Sequence, residues 1–178
     1  MHYWIIVASK DHLQRGLTGG FIQANHGKSA PLKRMHLNDW VVFYSPKLEY
    51  DKPEKCQCFT AIGQVADENI YQHDMGGGFV PFRRNVKFLP AQDVSILPLI
   101  NDLTFIKDKT HWGAPFRFGT LQIPEQDFQL IARFAGFNWI IDLLQKSFLS
   151  RRTEKKRVLR DFPQRSLCAR WLLIQEVN

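Results

Sequence analysis

Tyr3-Trp4-Ile5-Ile6-Val7-Ala8-Ser9-Lys10-Asp11-His12, followed by Gly19-Gly20-Phe21-Ile22-Gln23, Asn25-His26-Gly27-Lys28 and Tyr44-Ser45-Pro46, is the most informative stretch of the chain. The continuous, β-branched run Trp4-Ile5-Ile6-Val7 reads as a buried strand from His2 to Ala8. That strand delivers a polar Ser-Lys-Asp-His end. Asp11 is placed to cap a short helical turn through Gln14 and Arg15, with Gly16 ending it. The Gly19-Gly20 pair permits a tight turn or a close backbone approach, which presents Phe21 near Gln23. A second strand, Trp40 to Tyr44, follows the Asn38-Asp39 turn and is stopped by Pro46. These residues together describe a polar and aromatic pocket.

Outward from this stretch, Pro31 starts a one-turn helix through Met35, and Cys56 to Val65 reads as a strand. Met75-Gly76-Gly77-Gly78 is a flexible loop ahead of the extended stretch Phe79 to Phe88. A short helical turn is expected at Leu99-Ile100 and a loop at His111 to Pro115. Phe116 to Gly119 and Leu121 to Ile123 read as short extended pieces. Pro124-Glu125-Gln126-Asp127 opens a helix with proline and acids in its first turn, and Phe128, Leu130, Ile131 and Phe134 give it an apolar face. Many short strands with a few small helices predict a mixed α+β, pseudo-barrel domain. Residues 1–135 are assigned to it. Residues 136–178 form a separate basic extension, with an apolar helix over Phe137 to Leu144, a charge run at Ser150 to Arg157 and another apolar stretch at Ala169 to Ile174.

The chain has 178 residues and a formal charge of +7. Through Ala135 there are 15 Lys and Arg against 13 Asp and Glu; from Gly136 onward there are 9 against 4, so most of the excess sits in the extension. A basic chain attracts polyanions by counterion release. No apolar run approaches the roughly 20 residues that span a bilayer, and the first residues do not read as a signal peptide. A cytoplasmic protein with no membrane partner is expected. Cys56, Cys58 and Cys168 supply neither a disulfide framework nor the paired spacing of a zinc site, so no metal or organic cofactor is expected.

Ser9, Lys10, Asp11 and His12 offer a nucleophile, a base and a carboxylate, but adjacent residues point apart and do not form a triad among themselves. No G-x-S-x-G, P-loop or H-E-x-x-H motif is present. A binding pocket suits the aromatics better, because a base can be held between aromatic faces while polar groups read its edge. Phe21, Tyr44 and the loop residue Trp112 are candidate walls. Gln23 offers both a donor and an acceptor, and Lys28, Arg83, Arg84 and Arg117 are candidate phosphate contacts. In a strand, one of Arg83 and Arg84 must face away from any shared site.

Across roughly Met1 to Phe134, these motifs resemble the prokaryotic EVE domain, a PUA-like mixed β-barrel related to the YTH readers of methylated adenine. The resemblance implies a non-catalytic module that holds a modified base in DNA or RNA. Ser9 keeps the role of the family's base-reading serine, whereas Lys10 stands where related readers place an asparagine, and an ammonium and an amide read different edges. Phe21 and Trp112 correspond to the cage aromatics, Tyr44-Ser45 to an aromatic-serine strand end, and His26-Gly27-Lys28 to a short motif of the family. Modified cytosine is the first ligand implied, with restriction or RNA-modification proteins as partners. Two alternatives stay open: an RNA-acting hydrolase using Lys10, His26 and Tyr44, and a pocket for a free nucleobase or metabolite.

Overall fold

A computed structural model describes residues 1–137, which form one folded unit. Apart from Phe137 itself, the features expected in the basic extension lie outside the described residues. The strands are β1 (Tyr3–Val7), β2 (Phe21–Ile22), β3 (Trp40–Lys47), β4 (Lys55–Gln72), β5 (Phe82–Leu89), β6 (Val94–Ser95) and β7 (Thr120–Ile123). The helices are α1 (Lys10–Gly19), α2 (Ser29–Lys33) and α3 (Glu125–Phe134), joined by 3-10 turns at Asn25–Gly27, Leu97–Leu99 and Ala114–Phe118. One mixed sheet runs β2-β5-β4-β3-β1-β7, with β6 paired to β4. β1 and β3 are parallel, Tyr3 opposite Trp40, and the connection between them carries α1, β2 and α2. The mixed α+β architecture is the one expected.

Both faces of the sheet are covered, which is why β1 and β3 read as unbroken apolar runs rather than alternating ones. Trp4, Ile6, Val41 and Phe43 share one core with Leu13 of α1, Leu32 of α2 and Met35. The intervening residues face the other way: the rings of Tyr3 and Trp40 lie 4.9 Å and 5.4 Å from that of Phe128 on α3. Phe137 lies 5.6 Å from Trp40, beyond the boundary expected at Ala135. Asp39 anchors the start of β1, accepting bonds from the backbone N–H groups of His2 (2.7 Å) and His36 (3.0 Å) and from the Trp4 indole (3.1 Å).

Several local expectations are corrected. α1 begins at Lys10 with Ser9 as its cap position and runs to Gly19; Gly16 is buried within it, and the stop is Gly20 at φ +66°, whose N–H bonds the Gly16 carbonyl. Pro46 does not end β3, because a register shift between Ser45 and Lys47 leaves it outside the ladder, where its missing N–H costs nothing. β4 runs beyond Val65, interrupted by a register shift before Ile70, and β5 begins only at Phe82. Pro31 is the third residue of α2, not its first. Phe116 to Gly119 is not extended: Ala114–Phe118 winds into a 3-10 turn that Gly119 closes at φ +71°. The short turn expected at Leu99-Ile100 is Leu97–Leu99.

The two ends of the sheet, β2 and β7, share no ladder. They are joined by one side chain just past β2. Asn25 Nδ2 donates to the Phe118 carbonyl (3.0 Å), and Asn25 Oδ1 accepts from Thr120 Oγ1 (2.9 Å). This seam completes the barrel-like wall.

Candidate nucleobase cavity

A cavity of about 690 Å³ opens where β1 hands over to α1, bounded also by the Gly20-Phe21 turn, the end of β3 and the hairpin between β4 and β5. Its size lies in the range of small-molecule sites and leaves room for a nucleobase with part of its nucleotide. Of the residues expected in a base pocket, Ser9, Phe21, Gln23 and His26 line it. So do His12, Arg15, Asn25, Phe43, Lys47, Tyr50, Phe79 and Arg83, and no Asp or Glu does. The lining is therefore cationic and aromatic without a compensating carboxylate.

Local backbone geometry sets its lower rim. Asn25, His26 and Gly27 take φ values of +46°, +57° and +80° in succession, a conformation that non-glycine residues hold only when their surroundings enforce it. The Asn25 seam supplies one restraint. The other is close packing of Gly27 on Pro81, whose Cβ would lie 2.4 Å from any Cβ added at Gly27. His26 is exposed on this rim. On the opposite side, His12 stacks on Tyr50, with ring centroids 5.1 Å apart and planes 17° from parallel.

Two buried polar atoms of the lining make no hydrogen bond of ordinary geometry: Ser9 Oγ and Arg83 Nε. Burial opposes ionisation of the neighbouring Asp11, yet the Ser9 hydroxyl and the His12 N–H hold that carboxyl below its ordinary value. The Ser9 hydroxyl thus has the Asp11 carboxylate for a neighbour, which leaves Arg83 Nε as the donor of the lining with no hydrogen-bond acceptor. Arg83 Cζ lies 3.8 Å from the centroid of the Phe21 ring, at stacking distance. Burial lowers the pKa of Arg83, the expected response of a cation withdrawn from water.

The other candidates lie elsewhere. Lys10, expected to read a base edge, is absent from the lining; as the first residue of α1 it pairs with Asp93, which raises its pKa. Tyr44 alternates with Phe43 along β3, so Phe43 lines the cavity while Tyr44 is buried against Phe116, ring centroids 3.9 Å apart. Burial drives the Tyr44 phenol well above its usual range. Ser45 is fully buried, its hydroxyl 2.8 Å from that of Thr60. Trp112 packs its ring edge-on to Phe116 and does not line the cavity. Lys28 and Arg117 are exposed and also outside the lining. Lys10, His26 and Tyr44, the hydrolase set, are thus not gathered in one cavity.

Arg84 is corrected outright. It is 2% exposed and points away from Arg83, and its five N–H donors are all engaged. Nη1 bonds the Leu32 (3.0 Å) and Met35 (2.6 Å) carbonyls, Nε and Nη2 bond the Asp67 carbonyl, and Nη2 also bonds Glu68. No donor remains for a phosphate. Phe43, Phe79, Tyr50 and Arg15 were not anticipated. Strand alternation through β3 was the available signal for Phe43, whereas Phe79 and Tyr50 arrive from connections with no periodic pattern. Cys56 and Cys58 are free thiols in β4, and burial pushes the Cys58 thiol up to about 11. Among the described residues there is no group of three or more His, Cys, Asp or Glu that could hold a metal, and no helix is long and apolar enough to cross a membrane.

Comparison with known proteins places these features in context. A family model described as "EVE domain" matches residues 2–134. A UPF0310 protein of Mycolicibacterium vanbaalenii is 50% identical over 131 residues, covering 74% of this chain and 90% of its own. A UPF0310 protein in the gntR 5' region of Bacillus licheniformis is 48% identical over 125 residues, covering 70% and 85%. Among solved structures, the YTH domain of the Zygosaccharomyces rouxii MRB1 protein, in complex with N6-methyladenosine RNA, superposes with a TM-score of 0.50 at 13% identity, over 74% of this chain and 84% of that one. At that identity the likeness is one of fold.

Proposed function

We propose that this chain, which belongs to the EVE domain family, binds a modified nucleobase presented by DNA or RNA and does not turn it over. The observation that carries the reading is the cavity itself. It has room for a nucleobase, is walled by aromatic rings, is free of carboxylates, and includes Arg83, whose buried Nε has no protein partner. Buried polar atoms are satisfied in most sites, so a guanidinium donor left open at the cavity wall points to a ligand that satisfies it. A base reaching it must be unpaired or flipped out of its stack. Phe21, Gln23 and His26 stand around it, and Lys47 and Arg15 of the same lining are available to its flanking phosphates.

Modified cytosine is the first ligand to test. Binding of a panel of modified and unmodified oligonucleotides, DNA and RNA, at fixed salt decides the reading. Selective retention of one modification supports it; equal binding of every oligonucleotide, or none, refutes it. Affinity that falls as salt rises indicates a polymer held by its phosphates, whereas salt-independent binding of the nucleoside alone returns the free-metabolite alternative.

A further inference from the structure

Arg83 was expected at phosphates, but a phosphate contact suits an exposed cation, and Arg83 keeps only 8% of its surface exposed. Its guanidinium is held over Phe21 inside the cavity, its Nε has no acceptor, and it forms no ion pair with any carboxylate among the described residues. Arg84, the next residue, is the internal contrast, with every donor engaged. A desolvated, unpaired guanidinium is costly unless an acceptor arrives. Its planar fork presents two parallel N–H donors and therefore asks for two neighbouring acceptors.

We propose that Arg83 reads the edge of the bound base, pairing its fork with N3 and O2 of a cytosine ring as the N1–H and N2–H donors of guanine do in a duplex. This rests on the base-binding reading above and makes Arg83 a specificity-determining residue within it. Thymine and uracil place an N3–H donor against the fork, and adenine has no two adjacent acceptors. Guanine offers O6 and N7 on its other edge, but its own N1–H and N2–H donors would then meet a lining without a single carboxylate. Cytosine brings one amino group, for which the Gln23 side-chain carbonyl or Ser9 Oγ is acceptor enough.

The test uses isosteric pairs in the full chain. A strand of thymines carrying one central 5-methylcytosine differs from the all-thymine strand only in the base edge, since ring and methyl group are shared. 5-Hydroxymethylcytosine against 5-hydroxymethyluracil repeats the comparison, a central guanine is the third arm, and each is made as DNA and as RNA. By fluorescence anisotropy at fixed salt, the cytosine member of each pair should bind roughly 10- to 100-fold tighter, the worth of one good bidentate contact. Arg83→Gln and Arg83→Lys, both checked for folding by circular dichroism, should bring each pair to equal affinity. Equal binding within the pairs by the parent protein, discrimination that survives in either folded variant, or preference for guanine overturns the assignment. Modified cytosine winning over unmodified while the isosteric pairs tie would refute Arg83's role alone. Cytosine winning over uracil regardless of the 5-substituent would uphold it while refuting modification reading. No binding to any strand refutes both.

Discussion

Two adjacent arginines on β5 should respond oppositely to the same substitution. Arg84→Met removes the donors that the Met35 and Asp67 carbonyls receive, and one of the two received by the Leu32 carbonyl, which keeps the Met35 N–H. A buried acceptor left without its donor costs about 1–3 kcal/mol. With Leu32 partly satisfied and methionine filling most of the vacated volume, the net loss works out at about 2–4 kcal/mol. Arg83→Met removes a buried cation with no acceptor, a gain, together with its stacking on Phe21, a loss of about 0.5–2 kcal/mol. The two nearly cancel, so ligand-free stability should stay within about 1 kcal/mol of the parent. Urea denaturation at one pH, extrapolated to water, measures both. An Arg84→Met loss under about 1 kcal/mol, or an Arg83→Met loss as large as that of Arg84→Met, would refute the division of the pair into one structural and one vacant guanidinium.

Asn25→Ala should destabilise the protein by about 1–2 kcal/mol in the same urea assay, because both hydrogen bonds of the seam are lost; unchanged stability would mean that the wall closes by other means. Asp39 gives an acid-range signature. Burial opposes its charge, but the N–H groups of His36 and His2 and the Trp4 indole outweigh that and hold its carboxyl below the ordinary value. Its contribution is therefore complete above about pH 4 and is lost as pH falls through the lower folded value, so Asp39→Asn should flatten the acid limb of a stability–pH profile. Phe21→Ala should weaken binding of the selected oligonucleotide by about 1–3 kcal/mol, while Trp112→Ala should leave anisotropy titrations unchanged; the reverse pattern would move the site. A chain ending at Phe137 should stay folded, by circular dichroism, and keep its base selectivity with a shallower salt dependence. Its unfolding would show that the basic extension belongs to the core.

The sheet was legible because β1 and β3 combine unbroken apolar runs with turn residues at their ends, a pattern that local sequence carries. The cavity was half legible. Ser9, Phe21, Gln23 and His26 lie within one contiguous motif, so placing the motif placed them. Tyr44 and Phe43 show the limit: two aromatics in succession on a strand face opposite ways, and which one faces the cavity depends on strand register. Lys10 was misplaced because Ser9, not Asp11, heads α1, which turns Lys10 toward Asp93. Arg83 and Arg84 were correctly read as facing apart, but nothing local distinguishes the engaged one from the vacant one. That depends on carbonyls 49 and 52 residues away in α2 and the turn after it.

The Asn25 seam also bears on the order in which the molecule assembles. Its two hydrogen bonds join residues 93 and 95 positions apart, whereas the ladders between β3, β4 and β5 join neighbouring strands in sequence. Contacts across long loops bear the larger closure entropy, and this one gains only two side-chain bonds in return. It therefore belongs among the last contacts to form. Until it forms, Asn25-His26-Gly27 lacks one of the two restraints on its left-handed backbone, with only the packing of Gly27 on Pro81 left to shape the lower rim of the cavity. A nascent or partly unfolded chain can thus carry most of the sheet and still be unable to grip a base, so binding reports on the completed fold.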